Sequence, residues 1–170
     1  MTLKMFNALS SEIALGSLLE CCHSRVWAER LLAHRPFKSL QELNTLASQV
    51  WFSVQEPDWL EAFSAHPRIG DVAVLREKFS VTASLEQGQI EEASDAILFQ
   101  LADLNQAYLD KFGFIFIVFA TGKSAATMLA LLQERLPNSR SLELENNTLE
   151  QDKITTLRIS RLFPEEENIG

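Results

Sequence analysis

The stretch from Ile90 to Tyr108, IEEASDAILFQLADLNQAY, decides the fold class of this 170-residue chain. Its apolar side chains recur at the three- and four-residue spacing that places them on one face of an α-helix. The stripe consists of Ile90, Ala93, Ile97, Leu101, Leu104 and Tyr108. This is the longest periodic stretch in the sequence, and we expect its helix to end near Gly113.

Shorter stretches on both sides of it repeat the helical spacing. Residue types that favour helix N-termini precede them at Ser10 or Ser11, Ser24, Ser39, Asp71, Ser84 and Ser124. A last helix is expected from about Leu142 to Leu162. The sequence therefore predicts an all-α fold, a single compact domain of about seven to eight helices over residues 1–164. Residues 165–170 form an acidic C-terminal tail in this interpretation.

The segment Phe114–Ala120 is the ambiguous part of the chain. Its seven consecutive apolar or aromatic residues are compatible with a buried strand or a buried helix, and periodicity does not separate the two. A lone strand would have no partner elsewhere in this sequence. We therefore expect a buried helical or extended segment.

Charge and composition exclude several classes of function. The chain has 15 basic and 23 acidic residues, a net charge of −8, which argues against partners as anionic as nucleic acids or membrane surfaces. No apolar run is long enough to cross a bilayer, and Met1–Leu9 does not resemble a signal peptide. The adjacent Cys21 and Cys22 would form a strained disulfide, so we expect reduced thiols in a cytoplasmic protein.

Three motifs that would indicate a particular chemistry are incomplete or absent. Gly122-Lys123-Ser124 resembles the end of a phosphate-binding loop, but Ile117 stands where that motif needs a glycine. Consecutive helical residues point about 100° apart, so Cys21, Cys22 and His23 cannot converge on one ion, and we expect no metal. No Gly-x-Ser-x-Gly elbow of a serine hydrolase is present.

Three residues remain as candidates for chemistry. His66 lies in the non-periodic segment Ala65–Gly70, and an imidazole can exchange a proton near neutral pH. Glu86 stands at the start of a predicted helix, and Arg158 has the side chain best shaped to bind a carboxylate or ureido group. Each also has a structural interpretation: a surface loop histidine, a helix-capping carboxylate and an arginine at the rim of an apolar stripe. Spacing alone does not show that they meet.

Several segments of the chain form a recognisable set: Trp59–Asp71 (WLEAFSAHPRIGD), Glu86-Gln87, Tyr108, Lys111–Phe114 (KFGF), Ile154–Ile159 (ITTLRI), Cys22–Trp27 and Arg35–Phe37. Together they resemble the OHCU decarboxylase family, whose substrate is 2-oxo-4-hydroxy-4-carboxy-5-ureidoimidazoline (OHCU). The resemblance covers nearly the whole chain. It implies an all-helical, cofactor-free homodimer that converts OHCU to (S)-allantoin and carbon dioxide during urate degradation.

The resemblance also implies roles for particular residues. His66 would be the catalytic histidine and Glu86 its acidic partner, while Arg158 would hold an anionic or carbonyl part of the substrate. The other residues expected to line the pocket are Pro67, Ser84 and the backbone near Ile117 and Val118. The family often places a serine three residues before the glutamate, where this chain has Ala83.

Two other functions stay open at this point. The chain could be a non-catalytic helical domain that binds a partner helix in an apolar groove. It could also be an enzyme on the same scaffold that acts on a different ureido or carboxylate compound, because a fold does not determine a function.

Overall fold

The computed structural model of the chain describes residues 1–67 and 95–164. Within these two ranges it contains eight α-helices and no β-strand, which confirms the all-α prediction. The helices are α1 (Leu3–Ala8), α2 (Ser11–Cys21), α3 (Arg25–Leu32), α4 (Leu40–Ser53), α5 (Glu56–Ser64), α6 (Asp95–Phe112), α7 (Ala125–Arg135) and α8 (Arg140–Leu162). None of the helices described has the length and apolar character needed to cross a membrane.

The predicted caps explain where four of the eight described helices begin. Ser10, Ser24, Ser39 and Ser124 each accept a hydrogen bond from the backbone N–H three residues on, at the N-termini of α2, α3, α4 and α7. α6 ends before Gly113, because the positive φ of Gly113, 80°, interrupts the right-handed helix. Glycine adopts this conformation more easily than residues with a side chain. The helices expected after Asp71 and Ser84 and the tail at 165–170 lie outside the described residues.

Contacts divide the chain into two units, of which the first comprises Met1–Ala65 and Thr148–Gly170. Tryptophans form much of its core, and each buried indole N–H donates to a backbone carbonyl. Trp27 Nε1 lies 2.9 Å from the oxygen of Ala47, and Trp51 Nε1 lies 2.9 Å from that of Thr148. These bonds satisfy the polar end of each ring while its apolar surface is buried.

The second unit, His66–Asn147, contains α6, α7 and the start of α8. Between α6 and α7 the segment Phe114–Ala120 forms neither helix nor strand, and Phe114, Phe116 and Ile117 are buried. The ring of Phe116 lies 5.4 Å from that of Tyr108, edge to face. The expected burial holds for these three residues, while the other four are half-buried. The expected extended conformation is confirmed, and its helical alternative is wrong.

Candidate functional site

His66 lies two residues beyond the end of α5, a helix that is anchored to α4. The rings of Trp51 and Phe63 lie 6.4 Å apart, and Trp59 Nε1 donates to the carbonyl oxygen of Trp51 at 2.9 Å. Pro67 follows and disfavours a helical conformation at His66, so the helix ends before the histidine. His66 is half-buried and Pro67 is exposed. The imidazole therefore stands at the end of a fixed helix, partly open to solvent.

Glu86 and Ser84 fall in the range 68–94, outside the residues that the structure describes, as does Ala83. Their roles therefore stay predictions. The convergence of His66, Glu86 and Arg158 on one pocket stays a prediction for the same reason.

Arg158 is half-buried on α8, and its Nη1 donates to the carbonyl oxygen of Cys21 at 3.3 Å. Cys21 is the last residue of α2, where carbonyl groups lack partners within the helix and the helix dipole favours a positive charge. A guanidinium has five N–H donors in a planar fork. This contact can therefore orient the arginine and leave donors for a carboxylate or ureido oxygen.

The two cysteines beside Arg158 are free thiols buried in the protein, as predicted. Burial raises the pKa of Cys21 and of Cys22 to about 12, against a smaller lowering by the positive charge of Arg158. Both thiols are therefore protonated near neutral pH, and the thiolate is the reactive form. In the described ranges, no three His, Cys, Asp or Glu side chains are grouped as metal ligands.

Ile117 and Val118 lie together in the buried segment, but their backbones differ. The N–H of Ile117 donates to Asn147 Oδ1 at 3.0 Å, and its carbonyl accepts from Arg135 Nη1 at 2.8 Å. Both backbone groups of Ile117 are thus bonded within the protein. Val118 is half-buried, so its backbone is the better candidate of the two for direct contact with a ligand.

Arg135 belongs to a buried polar cluster that the sequence reasoning missed. Its Nε donates to Glu143 Oε1 at 2.8 Å, and its Nη2 donates to Asn147 Oδ1 at 2.7 Å. Tyr108 donates its hydroxyl to the same Glu143 oxygen at 2.7 Å. Glu143, Asn147 and Tyr108 are fully buried, and Arg135 is 9% exposed. A buried ion pair of this kind is tolerated only when further hydrogen bonds satisfy both partners.

The second oxygen of Glu143 completes the cluster. Asn138 Nδ2 and Asn146 Nδ2 both donate to Oε2, at 3.0 and 2.6 Å. Burial alone would raise the pKa of Glu143, but the hydrogen bonds from Asn138, Tyr108 and Asn146, together with the charge of Arg135, hold its pKa below the usual value. Glu143 is therefore ionised at neutral pH and forms a true ion pair with Arg135.

One signal in the sequence could have pointed to this cluster. Glu143 and Asn147 are separated by four residues in the last helix and so lie on one face of it. The hydrophobic residues nearest to them occupy other positions of the same helix. The signal is a weak one, because polar residues at helical spacing mostly lie on the solvent side of a helix.

A surface groove of about 490 Å³ lies beside α2 and α3 in the first unit. Its lining includes four charged side chains, Glu12, Arg25, Glu29 and Arg35, and none of the predicted site residues. Arg25 and Glu29 pair across one helical turn at 2.9 Å. Leu15, Leu32 and Ala33 also line it, so its surface combines charged and apolar side chains.

Comparisons with known proteins relate this chain to one family. A profile of the OHCU decarboxylase family matches residues 7–160. The "Uric acid degradation bifunctional protein TTL" of Arabidopsis thaliana is 38% identical over 95% of this chain. A Haloferax volcanii protein named 2-oxo-4-hydroxy-4-carboxy-5-ureidoimidazoline decarboxylase is 26% identical, and the match covers 98% of both chains.

A solved structure gives the same result at the level of the fold. It is described as an OHCU decarboxylase in the presence of (S)-allantoin and is 37% identical to this chain. The match has a TM-score of 0.73 and covers 92% of this chain and 99% of that one. The chain spans 51% of the length of the Arabidopsis relative, and 33% and 30% of two bifunctional Bacillus proteins.

Proposed function

Since this chain belongs to the OHCU decarboxylase family, we propose that it is a carboxy-lyase that converts OHCU to (S)-allantoin and carbon dioxide without a cofactor. The observation that carries this proposal is the family match over residues 7–160. The half-buried His66 at the end of α5 supports it, because an imidazole there can exchange protons with a bound substrate.

The chemistry of the substrate makes a cofactor unnecessary. When the bond between the ring carbon and the carboxylate breaks, its electron pair moves toward the adjacent ring C=N, whose nitrogen accepts electron density. The ring nitrogen takes up a proton, and the hydroxyl on the carbon that lost the carboxylate gives up its proton as it becomes the ring carbonyl. A proton delivered to one face of the neighbouring carbon, which bears the ureido group, fixes the (S) configuration. The protein supplies orientation and proton transfer.

We assign these tasks to the residues named above. His66 bonds the hydroxyl and carboxylate region of OHCU and promotes the loss of carbon dioxide. Glu86, His66 or a held water delivers the proton to carbon. Pro67, Ser84 and the backbone at Ile117 and Val118 line the pocket.

Arg158 contacts the ureido group or ring carbonyl, or orients the carboxylate without neutralising it fully. Strong pairing with the leaving carboxylate would stabilise the ground state more than the transition state and slow the reaction. The bond between Arg158 and the carbonyl of Cys21 supports this role, because it holds the guanidinium in one orientation.

We also propose that the enzyme is a cytoplasmic homodimer. The buried free thiols at Cys21 and Cys22 suit a reducing compartment. Large apolar side chains such as Phe52 and Leu149 are 46% exposed, and a subunit interface would cover such residues.

The experiment that tests the activity generates OHCU in place from urate with the two preceding enzymes and follows allantoin by circular dichroism. Uncatalysed decay is slow and yields racemic allantoin, which has no net signal. We expect the purified chain to produce a fast rise of the (S)-allantoin signal. A trace identical to the control without the chain would contradict the proposal, and other ureido or carboxylate compounds would then be tested as substrates.

Replacing Arg158 by alanine is expected to raise KM for OHCU roughly 10- to 100-fold, with a smaller change in kcat, since a hydrogen-bonded cation contributes about 1.5–3 kcal/mol. The Arg158→Lys variant retains a charge and a donor for the Cys21 carbonyl but lacks the planar fork, so KM should rise in it as well. Steady-state kinetics measure both effects.

The matched control for this prediction is Arg161→Ala, which removes an exposed arginine from the same helix. Its KM should equal that of the unaltered chain. If Arg158→Ala changed neither KM nor kcat, the proposed contact with substrate would be wrong.

A further inference from the structure

The side chain of one residue supplies hydrogen-bond partners for backbone groups of the segment Phe114–Ala120. Non-helical backbone inside a protein must find partners for its N–H and C=O groups, and no strand lies beside it in the described ranges. Asn147 supplies them: its Oδ1 accepts from the N–H of Ile117 at 3.0 Å, and its Nδ2 donates to the carbonyl of Ile115 at 2.9 Å. A side-chain amide thus takes the place of a peptide group in a neighbouring strand.

Arg135 fixes the orientation of that amide. Its Nη2 lies 2.7 Å from Asn147 Oδ1, so the oxygen of the amide faces two donors, Arg135 and the N–H of Ile117. Arg135 is itself held by Glu143 and stacks on Phe116, with 4.5 Å between the guanidinium carbon and the ring centroid. A flipped amide would place its NH2 against these donors, and this excludes the alternative orientation.

The same arginine sets the direction of the next peptide group. Its Nη1 donates to the carbonyl of Ile117 at 2.8 Å. That carbonyl and the N–H of Val118 belong to one planar trans peptide, in which the two groups point in opposite directions. The bond from Arg135 therefore aims the N–H of Val118 away from the buried cluster.

We propose that Asn147 and Arg135 are positioning residues that hold the Val118 N–H where it donates to a carbonyl or carboxylate oxygen of the substrate. This inference rests on the proposed function, since it assigns the use of one part of the same pocket. Neither side chain touches the substrate. Both act through the backbone of Ile117, whose two polar groups they occupy.

The variant Asn147→Ala tests this inference against a closely matched control. Asn146→Ala alters the neighbouring residue on α8. The side chain of Asn146 donates to Glu143 Oε2, whereas that of Asn147 bonds the segment Phe114–Ala120. We expect Asn147→Ala to raise KM for OHCU roughly 10- to 100-fold. Asn146→Ala should leave KM and kcat within about twofold of the unaltered chain.

Amide hydrogen exchange provides a readout that does not depend on activity. In the unaltered chain the Ile117 amide should be strongly protected, and in Asn147→Ala its exchange should accelerate at least tenfold relative to the amides of α7. If Asn147→Ala does not fold, Asn147→Asp replaces it. That variant sets a carboxylate oxygen against the carbonyl oxygen of Ile115 in place of a donor. The repulsion between the two acceptors should displace the backbone that carries the Val118 N–H and raise KM several-fold.

The outcomes separate the two proposals. A folded Asn147 variant with unaltered KM and kcat, in an active enzyme, would overturn the positioning role alone. An Ile117 amide that exchanges freely in the unaltered chain would also overturn it. An unaltered chain without activity on OHCU would instead overturn the proposed function.

Discussion

Replacing His66 by asparagine is expected to lower kcat for OHCU decarboxylation by roughly 100- to 10,000-fold, the usual contribution of a positioned acid–base group. Asparagine retains a polar side chain of similar reach, but it cannot take up or release a proton near neutral pH. His66 is half-buried after α5, so part of its side chain is exposed. The circular dichroism assay of (S)-allantoin formation measures the effect directly.

The chain provides its own control for this variant. Its other two histidines, His23 and His34, are exposed, so His34→Asn should retain the activity of the unaltered chain. Thermal unfolding followed at 222 nm should give similar midpoints for both variants, because neither substitution empties the core. If His66→Asn turned over OHCU at the original rate, the proposed mechanism would be wrong.

Local chemistry made much of the fold predictable from the sequence. Serine at Ser24, Ser39 and Ser124 fixes helix starts because its hydroxyl accepts a bond from an otherwise unpaired N–H. Gly113 ends α6 because glycine adopts a positive φ at little cost. Such signals lie within a few residues of the structure that they determine.

The conformation of Phe114–Ala120 could not be predicted in this way. Its backbone partners are side chains of Arg135 and Asn147, which lie at a distance in the sequence and look like ordinary surface residues of helices. Hydrophobic periodicity reports only where apolar side chains lie, so it carries no information about a polar cluster that replaces a missing strand.

The candidate site shows the same limit. The unusual segment around His66 could be recognised as a break in helical periodicity, and Arg158 as a cation beside an apolar stripe. The contact of Arg158 with the carbonyl of Cys21 joins residues 137 positions apart. Composition and spacing give no information about contacts over such a separation in the sequence. The proposed roles of both residues therefore came from the family resemblance.

Replacing Glu143 by glutamine is expected to lower the free energy of unfolding by about 3–5 kcal/mol, the typical cost of removing one partner of a buried ion pair. The change leaves Arg135 charged and buried without its counter-ion. It also sets an NH2 group among the donors of Tyr108, Asn138 and Asn146. Urea unfolding at neutral pH measures the loss.

The control is Glu134→Gln, an exposed glutamate of α7 next to Arg135 in sequence, which should change the stability by less than about 0.5 kcal/mol.

The pKa of Glu143 is lowered in the native state, so its carboxylate stabilises the fold above the ordinary glutamate pKa of 4.5, and this contribution disappears as the pH falls through the lower native pKa. The difference between the unaltered chain and Glu143→Gln should therefore narrow in acid. A difference that stayed constant down to pH values at which carboxyl groups are protonated, or a Glu143→Gln variant as stable as Glu134→Gln, would show that the buried pair contributes no net stability.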